Sequence, residues 1–567
     1  MSTRGSDDSA QVLTNEAGAI ITRSDLTEQS SPGLTWATWR ATVIFTLALL
    51  ASRVIYLIWL WPHELFGDEA QYWDWSRRLD LSYYSKGPGV AWVIAASTSL
   101  FGDREWAIRL PAVVASAVGA LALARLANEC SKGDQRVGFF TAVTFCLAPG
   151  YQGSSIFMTT DSPSIALWII AAWAAWHVFN QPQNEQPPLF PWIVLALALA
   201  TGFLFRYTNV LLVPGLIIYA ILHRHQIKWG LTAAIRALGA AIVFLVVISP
   251  VFVWNHRRGW PAVAHLLGHL GAPGGDWPHR GPWSYDPLWT LEFLGSQVAI
   301  IGPAAVLIAL ATRAAIRTRK EQPRQWFGHA LMIWCAAPIL ILHLFLSFVT
   351  DVEANWPLPG YATLFVLVGQ LVVVKLLHYR RVVGQRRRDP TMPGPLGRRD
   401  TLFQVAWRGS IGLGVATMFF FLFLNVVAQV PVIGTLVPLH RVTGHRELAA
   451  RIQTLVRQSR EQTSREPFVV ARGYMTTALL AFYLPGHPAI YSAQNQLGSR
   501  KSSYDFFDDT DLTDPKLLGR PAVLIGDSPE KWKRAFKFDR LEQAGRDVHA
   551  YIGFGYWGPN NETHTKP

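Results

Sequence analysis

The stretch TVIFTLALLASRVIYLIWLWP (residues 42–62) is followed three residues later by FGDEAQYWDW (residues 66–75). About 20 consecutive apolar residues cross a bilayer core as a helix, so the first stretch predicts a membrane span over 42–61. Two adjacent carboxylates, Asp68 and Glu69, then lie at the mouth of that span among aromatic side chains. Carboxylates close to hydrocarbon are costly to desolvate, and they point to a functional site at the membrane surface.

The composition of the chain agrees with a membrane protein. Of its 567 residues 50% are hydrophobic and 16% are charged, whereas soluble proteins carry roughly a quarter of charged residues. The 24 tryptophans suit anchoring at lipid–water interfaces. The formal net charge of +13 does not require nucleic acid, because the cytoplasmic loops of membrane proteins are themselves basic.

About eleven segments are predicted to cross the membrane, which gives an all-α polytopic bundle. The long apolar runs are 42–61, 107–127, 163–180, 189–205, 237–254, 291–312, 328–349, 357–377 and 408–430, and the shorter ones are 137–150 and 208–222. The run 90–100 is too short to cross and is predicted to lie in the interface within the first outer loop, 62–106.

Basic loops predict the orientation of this bundle. Segments 223–236, 313–325 and 375–399 are rich in Lys and Arg, so they are predicted to face the cytoplasm, together with the N-terminus. Residues 1–38 are predicted to form a disordered cytoplasmic tail, and 39–430 the transmembrane domain. The loops 151–162, 255–290 and 350–356 are then outside, as is everything after about 431.

Residues 431–567 differ in character from the rest of the chain. FVVARGYM, AIYSAQ and AVLIGD read as short buried strands, and TTALLAFYL and the segment around Glu447–Arg457 read as helices. These alternating elements predict a small extracytoplasmic α/β domain.

Charged residues collect at the outer ends of several predicted spans. The acidic ones are Asp68, Glu69, Asp161, Asp351 and Glu353, and the basic ones are Arg77, Arg78, Lys86, Arg104, His256, Arg257, Arg258 and Arg280. Basic side chains on the outer face run against the charge rule for orientation. An anionic ligand at the outer membrane surface explains them.

Each acidic position also has a purely structural interpretation. Asp68 fits a helix N-cap with Gln71 as its reciprocal partner, and Asp161 fits the cap of a membrane helix with Pro163 in its first turn. Trp356 fits an interfacial anchor. The functional interpretation gains weight because the carboxylates lie at the same end of different spans.

A resemblance becomes visible in these outer segments. FGDEAQYW, YYSKGPGVAW (83–92) and RLPAVV (109–114) resemble the first outer loop of membrane glycosyltransferases with the GT-C fold. The bacterial branch is related to protein O-mannosyltransferases (glycosyltransferase family 39), lipid A aminoarabinose transferases and rhizobial galacturonosyl transferases. MTTDSPSIALW (158–168), VWNHRRGWPAVAH (253–265) and VEANWP (352–357) resemble later motifs, so the resemblance covers roughly residues 40–430. Many relatives have Lys-Pro-Pro where this chain has Lys86-Gly87-Pro88.

The resemblance implies a polyprenyl-phosphate sugar as donor and displacement at its anomeric carbon. Such a reaction needs a base for the proton of the acceptor and positive charge for the leaving phosphate. The implied catalytic carboxylates are Asp68, as base or acceptor-orienting group, with Glu69 beside it, and Asp161. The implied donor phosphate-binding residues are Lys86, Arg77, Arg206 and Arg257, and the implied sugar- or acceptor-binding residues are Tyr72, Trp73, Tyr84, Glu353 and Asn355.

Cofactor, substrate and partner identities are open at this point. Some relatives hold a divalent metal with a carboxylate and a His, which makes His256 the candidate ligand, although a solvated loop residue explains it equally well. The sugar is open, and so is the acceptor, whether lipid A or its core, another glycan, a lipid or a protein hydroxyl. The expected location is the bacterial inner membrane.

Two other classes of protein compete with a transferase. A secondary transporter, or a flippase for a lipid-linked substrate, places ionisable groups near the membrane midplane between two related halves. A sensor with an external domain on a membrane anchor does not need eleven spans. The positions of the carboxylates at span ends favour the enzyme.

Overall fold

The structure is a computed structural model. It describes residues 34–181, 188–276, 285–388, 398–427, 439–545 and 549–560. Most of the predicted N-terminal tail lies outside these residues, as does the predicted boundary near residue 431.

Helices make up most of the described chain. The α-helices are Trp39–Ile55, Gly67–Ser76, Gly89–Phe101, Glu105–Cys130, Gln135–Leu147, Pro149–Ser154, Asp161–Phe179, Phe190–Phe205, Leu212–Leu222, Leu231–Arg257, Pro261–His269, Pro287–Ile301, Ala304–Glu321, Pro323–Leu346, Leu358–Arg388, Arg398–Leu422, Leu424–Val427, His445–Thr463, Tyr474–Tyr483 and Pro529–Ala535. A π-helical turn, Tyr56–Leu60, continues the first helix, and short 3₁₀ helices are Tyr207–Leu211, Leu439–Arg441, Ser503–Phe506, Asp508–Thr510 and Pro515–Leu517.

Several of these helices can span a membrane. Among the described residues seven are long and apolar enough by length and composition, or eight if one bent pair is a single span. The predicted multi-pass bundle is therefore confirmed in its coarse form, while the number eleven stays a prediction. The segment 90–100, predicted too short to cross, lies in the 13-residue helix Gly89–Phe101.

The predicted span 291–312 is not one straight helix. It divides into Pro287–Ile301 and Ala304–Glu321, whose axes differ by 93°. Gly302 between them has φ +65°, a backbone conformation that residues other than glycine rarely adopt, and Pro303 follows it. A run of apolar residues predicts burial in lipid or protein, but it does not reveal such a break.

The C-terminal region carries a five-stranded sheet. Its strands are β1 Phe468–Ala471, β2 Tyr491–Ser492, β3 Ala522–Ile525, β4 Phe536–Gly545 and β5 Ala550–Pro559, in the order β2-β1-β3-β5-β4. β1 is parallel to β2 and β3, whereas β5 is antiparallel to both β3 and β4. The three predicted strands and the two predicted helices are all present, and the β4–β5 pair was not predicted.

This C-terminal region packs directly on the first outer loop. The helix Gly67–Ser76, called the acidic helix below, shares a hydrophobic core with the helix Tyr474–Tyr483. The hydroxyl of Tyr504 donates a hydrogen bond to Asp74 at 2.8 Å, and Arg78 forms an ion pair with Asp509 at 2.6 Å. Apolar packing and these polar contacts together fix the acidic helix from both sides.

Burial of the two tryptophans of the acidic helix corrects one expectation. Trp73 and Trp75 are fully buried. The ring of Trp73 lies against Phe482, 4.9 Å between centroids, and Trp75 stacks on Tyr83 at 4.4 Å. The C-terminal region and the outer loop cover both rings, so Trp73 is not open to a sugar or an acceptor as the resemblance implies.

Candidate active site

The acidic helix is capped by Glu69 and not by Asp68. The helix begins at Gly67 after Phe66, whose backbone N–H donates to Glu69 Oε2 at 3.0 Å. The structural interpretation of Asp68 as the N-cap is therefore wrong. Asp68 lies in the first helical turn, and its carboxylate is available for another role.

Glu69 is also the centre of a buried ion pair. Arg109 donates from Nε to Oε1 at 2.9 Å and from Nη2 to Oε2 at 2.7 Å, and both side chains have no solvent exposure. The backbone N–H of Met158 donates to Oε1 at 2.8 Å. Glu69 thus joins the acidic helix to the helix Glu105–Cys130 and to the loop before Asp161, while Asp68 remains on the neighbouring face.

Asp68 lies among groups of both charges. Burial raises the pKa of its carboxyl above the ordinary value, and Glu69 adds to that effect, whereas Lys86 and Arg500 oppose it. The hydroxyl of Tyr474 donates a long hydrogen bond, 3.5 Å, to Asp68 Oδ1. A carboxylate with a raised pKa next to cations is a suitable general base near neutral pH.

Lys86 reaches this cluster from the loop before the helix Gly89–Phe101. Burial and the neighbouring Arg206 lower the pKa of its ammonium, and Asp68 and Asp161 oppose the shift. Gly87 explains the position of this loop: a Cβ there would lie 2.2 Å from the carbonyl oxygen of Leu204. The absence of a side chain lets the loop contact the end of the helix Phe190–Phe205, immediately before Arg206.

Asp161 is held by three partners at the start of its helix. Arg206 forms an ion pair with Oδ1, while Thr159 and Asn355 each donate to Oδ2 at 2.8 Å. The helix begins at Asp161 after Thr160, with Pro163 in its first turn as predicted. The carboxylate itself caps no helical N–H among these contacts, and it fixes Arg206 beside Lys86.

Two tyrosines complete the predicted part of the cluster. The pKa of Tyr72, which is 3% exposed, is raised by burial and by Asp68 and Asp161. Tyr84 is 4% exposed, and its ring lies 4.9 Å from that of His265. Its hydroxyl is buried and has no hydrogen-bond partner among the residues that the structure describes.

Five of the predicted site residues lie outside this cluster. Trp73 is covered by the C-terminal region, and Arg77 binds Asp74 and the carbonyl oxygen of His487. His256, Arg257 and Glu353 are exposed. For Trp73 and Arg77 the reason is the docked C-terminal region, which contacts both side chains.

The structure adds residues that the sequence did not reveal. Arg109 lies in the motif RLPAVV, but nothing in the motif tells that its partner is Glu69. Tyr474 and Arg500 come from the C-terminal region, about 400 residues after Asp68, with no local signal. His265 ends the motif that begins at Val253, in which the sequence pointed to His256 instead.

His256 is the candidate ligand for a metal ion. In the described segments no group of three or more His, Cys, Asp or Glu side chains could hold a metal ion. A divalent metal, with His256 as its candidate ligand, stays an open alternative.

Comparison with known proteins adds to this geometry. Residues 85–254 match the sequence model of the family described as dolichyl-phosphate-mannose-protein mannosyltransferase. The chain is 30% identical over 326 residues to the lipid A galacturonosyltransferase RgtD of Rhizobium johnstonii, covering 57% of this chain and 63% of that one. It is 26% identical over 349 residues to an undecaprenyl phosphate-α-4-amino-4-deoxy-L-arabinose arabinosyl transferase of Pseudomonas aeruginosa, covering 58% of this chain and 60% of that one.

Solved structures show the fold over a larger part of the chain. ArnT from Cupriavidus metallidurans bound to undecaprenyl phosphate superposes with a TM-score of 0.58 at 16% identity, covering 90% of this chain and 97% of that one. The sequence matches span less than two thirds of the curated relatives. The resemblance to membrane glycosyltransferases of the GT-C fold is confirmed, by the mannosyltransferase family match over residues 85–254 and by the shared fold of ArnT.

Proposed function

We propose that this protein transfers a sugar from a polyprenyl-phosphate donor to an acceptor hydroxyl at the outer face of the cytoplasmic membrane. One observation carries the proposal: Asp68, Lys86 and the Arg206–Asp161 pair come from three outer segments and converge on one cluster. A base and two cations are what displacement of a phosphate by a hydroxyl requires.

The reaction follows from the roles that these groups can take. The acceptor oxygen forms a bond to the anomeric carbon, and the bond from that carbon to the phosphate oxygen breaks. The electron pair of that bond leaves with the phosphate, whose charge Lys86 and Arg206 stabilise. The proton of the acceptor moves to the Asp68 carboxylate. Tyr72, whose pKa is raised by burial and by both Asp68 and Asp161, is close enough to these carboxylates to orient the sugar or the acceptor.

Similarity to known enzymes supports the substrate classes. The relatives named above act on lipid A or use an undecaprenyl-phosphate sugar, and an ArnT structure holds undecaprenyl phosphate. We therefore propose a polyprenyl phosphate as carrier and lipid A or another envelope glycan as acceptor. The relatives leave the sugar undecided, because one transfers an acidic sugar and the others an amino sugar.

The cluster also bears on the transporter and flippase alternative. A transporter places ionisable groups near the membrane midplane. Here Asp161 begins its helix, and Arg206 follows the end of another. Asp68, in the first turn of the acidic helix, and Lys86 both belong to the first outer loop. Groups at helix ends suit a reaction between a lipid-borne donor and an acceptor in water.

Lys86→Met is expected to weaken donor binding about tenfold to a hundredfold, the scale of a hydrogen bond between charged groups. Methionine keeps the length of the side chain and removes the charge near the phosphate. Binding of undecaprenyl phosphate to the protein in nanodiscs measures the effect. Lys132→Met, an exposed lysine in the turn after Cys130, is the matched control. Unchanged affinity in a folded Lys86→Met protein removes Lys86 from the phosphate site.

Orientation is the second part of the proposal that can be tested. The three basic segments support a cytoplasmic N-terminus and an external C-terminal region. Alkaline phosphatase fused after Leu436, which lies outside the described residues, is expected to be active. An inactive fusion that is expressed at a normal level reverses the orientation and moves the cluster to the cytoplasmic side.

A further inference from the structure

A small group of polar side chains lies beside the catalytic cluster and has no part in the proposed reaction. The helix Pro261–His269 faces the C-terminal region, and Arg500 Nη1 lies 3.4 Å from His265 Nδ1 and 3.5 Å from His269 Nε2. The ring of Tyr84 lies against His265 and, at 5.8 Å, against Phe506. This group, called the Arg500 group below, joins the first outer loop, a later outer loop and the C-terminal region.

The hydroxyl of Tyr84 indicates that the Arg500 group binds a ligand. It is buried and no described residue hydrogen-bonds to it, which is unfavourable unless a ligand or water satisfies it. The aromatic contacts of its ring explain the position of Tyr84 but not its hydroxyl. A phenylalanine would pack equally well.

Positive charge decides the kind of ligand. Arg500 is close enough to Asp68 and Lys86 to affect the pKa values of both. Burial, His269, Arg500 and Lys86 together lower the pKa of His265 to about 2. Its imidazole is therefore neutral and adds no positive charge to the group. One carboxylate, Asp276, also faces this group, and its Oδ2 lies 3.1 Å from His265 Nδ1.

We infer that Arg500 and Tyr84 bind a carboxylate on the donor sugar, so that the donor carries a uronic acid. The inference rests on the proposed function and names its sugar class. Arg500 supplies the charge, and the Tyr84 hydroxyl supplies a hydrogen bond to a carboxylate oxygen. Both side chains act on the sugar and take no part in the bond that breaks.

Two other assignments fit the same residues less well. An amino sugar would bring an ammonium group next to the cation Arg500, which repels it. A contact of Arg500 with the donor phosphate would leave the Tyr84 hydroxyl without a role. Lys86 and Arg206 already lie at the loop and helix end where a lipid-borne phosphate arrives, whereas Arg500 approaches from the C-terminal region.

Donor binding in nanodiscs tests the inference without knowledge of the acceptor. The probes are undecaprenyl phosphate and its galacturonate, galactose and 4-amino-4-deoxyarabinose derivatives. Wild type is expected to bind the galacturonate derivative about tenfold to a hundredfold more tightly than the galactose derivative. Arg500→Met is expected to abolish that preference, while the affinity for undecaprenyl phosphate changes far less than the affinity for the galacturonate derivative. Lys501→Met, a neighbouring exposed lysine, is the matched control and is expected to keep the preference.

Tyr84→Phe keeps the test decisive if Arg500→Met does not fold. It removes a hydroxyl without a described partner, so folding is expected to be normal while the galacturonate preference falls about tenfold. Equal binding of the three sugar derivatives by wild type overturns the inference, as does preference for the amino sugar. An equal loss for all four probes in Arg500→Met assigns Arg500 to the phosphate and also overturns it. Failure of wild type to bind any probe overturns the proposed function itself.

Discussion

Asp68→Asn is expected to lower the proposed sugar transfer by roughly a hundredfold or more and to leave the protein folded. General-base removal has this scale of effect, because the acceptor hydroxyl then loses its proton without help. Asparagine has nearly the same size as aspartate and keeps its hydrogen-bond acceptor. The cap of the acidic helix is unaffected, since Glu69 and not Asp68 accepts the N–H of Phe66. The measurement is the rate of transfer to lipid A, with thermal unfolding in detergent as the check on folding.

A matched substitution tests whether the loss of transfer comes from Asp68 itself or from the loss of any one negative charge. Asp508→Asn removes an exposed carboxylate from the C-terminal region, and it is expected to leave transfer unchanged. Normal turnover in folded Asp68→Asn protein would mean that Asp68 is not the base, and Asp161 would be the next candidate. A normal rate is the outcome that a purely structural role for Asp68 predicts.

The pH dependence of the same transfer rate is an independent test of Asp68 as the base. Burial raises the pKa of Asp68, so its carboxyl takes up a proton at a higher pH than an ordinary aspartate does. Only the deprotonated form accepts the proton of the acceptor, so transfer falls as pH drops through this raised pKa. We expect the acidic limb of the wild-type profile to lie above the range of an exposed aspartate and to be absent from the residual activity of Asp68→Asn.

Arg109→Met has the largest expected effect on stability, about 3–5 kcal/mol in the free energy of unfolding. It leaves Glu69 as an uncompensated charge with no solvent exposure, and it frees the backbone carbonyl of Glu64. Denaturation in mixed detergent measures the loss. Arg104→Met, an exposed arginine just before the same helix, is the control and is expected to change stability by less than about 1 kcal/mol.

A double variant distinguishes loss of the ion pair from loss of packing. Glu69→Gln combined with Arg109→Met removes the stranded charge, so the pair is expected to be more stable than Arg109→Met alone. If the double variant is less stable by the sum of both single losses, the two side chains do not interact across the acidic helix and the loop. Glu69 would then be a helix cap only.

The residues of the candidate site that could be predicted from the sequence are those with a local signature. Asp68, Lys86 and Asp161 lie in motifs next to membrane spans, and a carboxylate or a lysine at the edge of hydrocarbon has few ordinary explanations. The sheet strands β1, β2 and β3 were visible for a similar reason, since short runs of buried apolar residues stand out in a polar region. Local chemistry was sufficient in these cases.

What depended on distant contacts could not be predicted. Adjacent Asp68 and Glu69 look alike in sequence, and only Arg109, 40 residues later, makes one of them a structural anchor. In the sequence, Trp73 and Arg77 resemble a sugar-binding ring and a phosphate-binding cation, yet both contact the C-terminal region. Arg500 illustrates the limit most clearly, because a surface arginine and a ligand-binding arginine have the same sequence signal.

Gly87 links the lysine of the first outer loop to the end of a membrane helix. Because a Cβ at this position would lie 2.2 Å from the carbonyl oxygen of Leu204, neither alanine nor proline fits without moving one backbone away from the other. In proteins that carry Lys-Pro-Pro here, the loop and the helix end must therefore lie farther apart than in this chain, although an alignment would equate the two lysines. A chimera that exchanges the first outer loop between such proteins also has to exchange the end of the helix Phe190–Phe205. The loop and the helix end fit each other only as a matched pair, because their backbones are in direct contact.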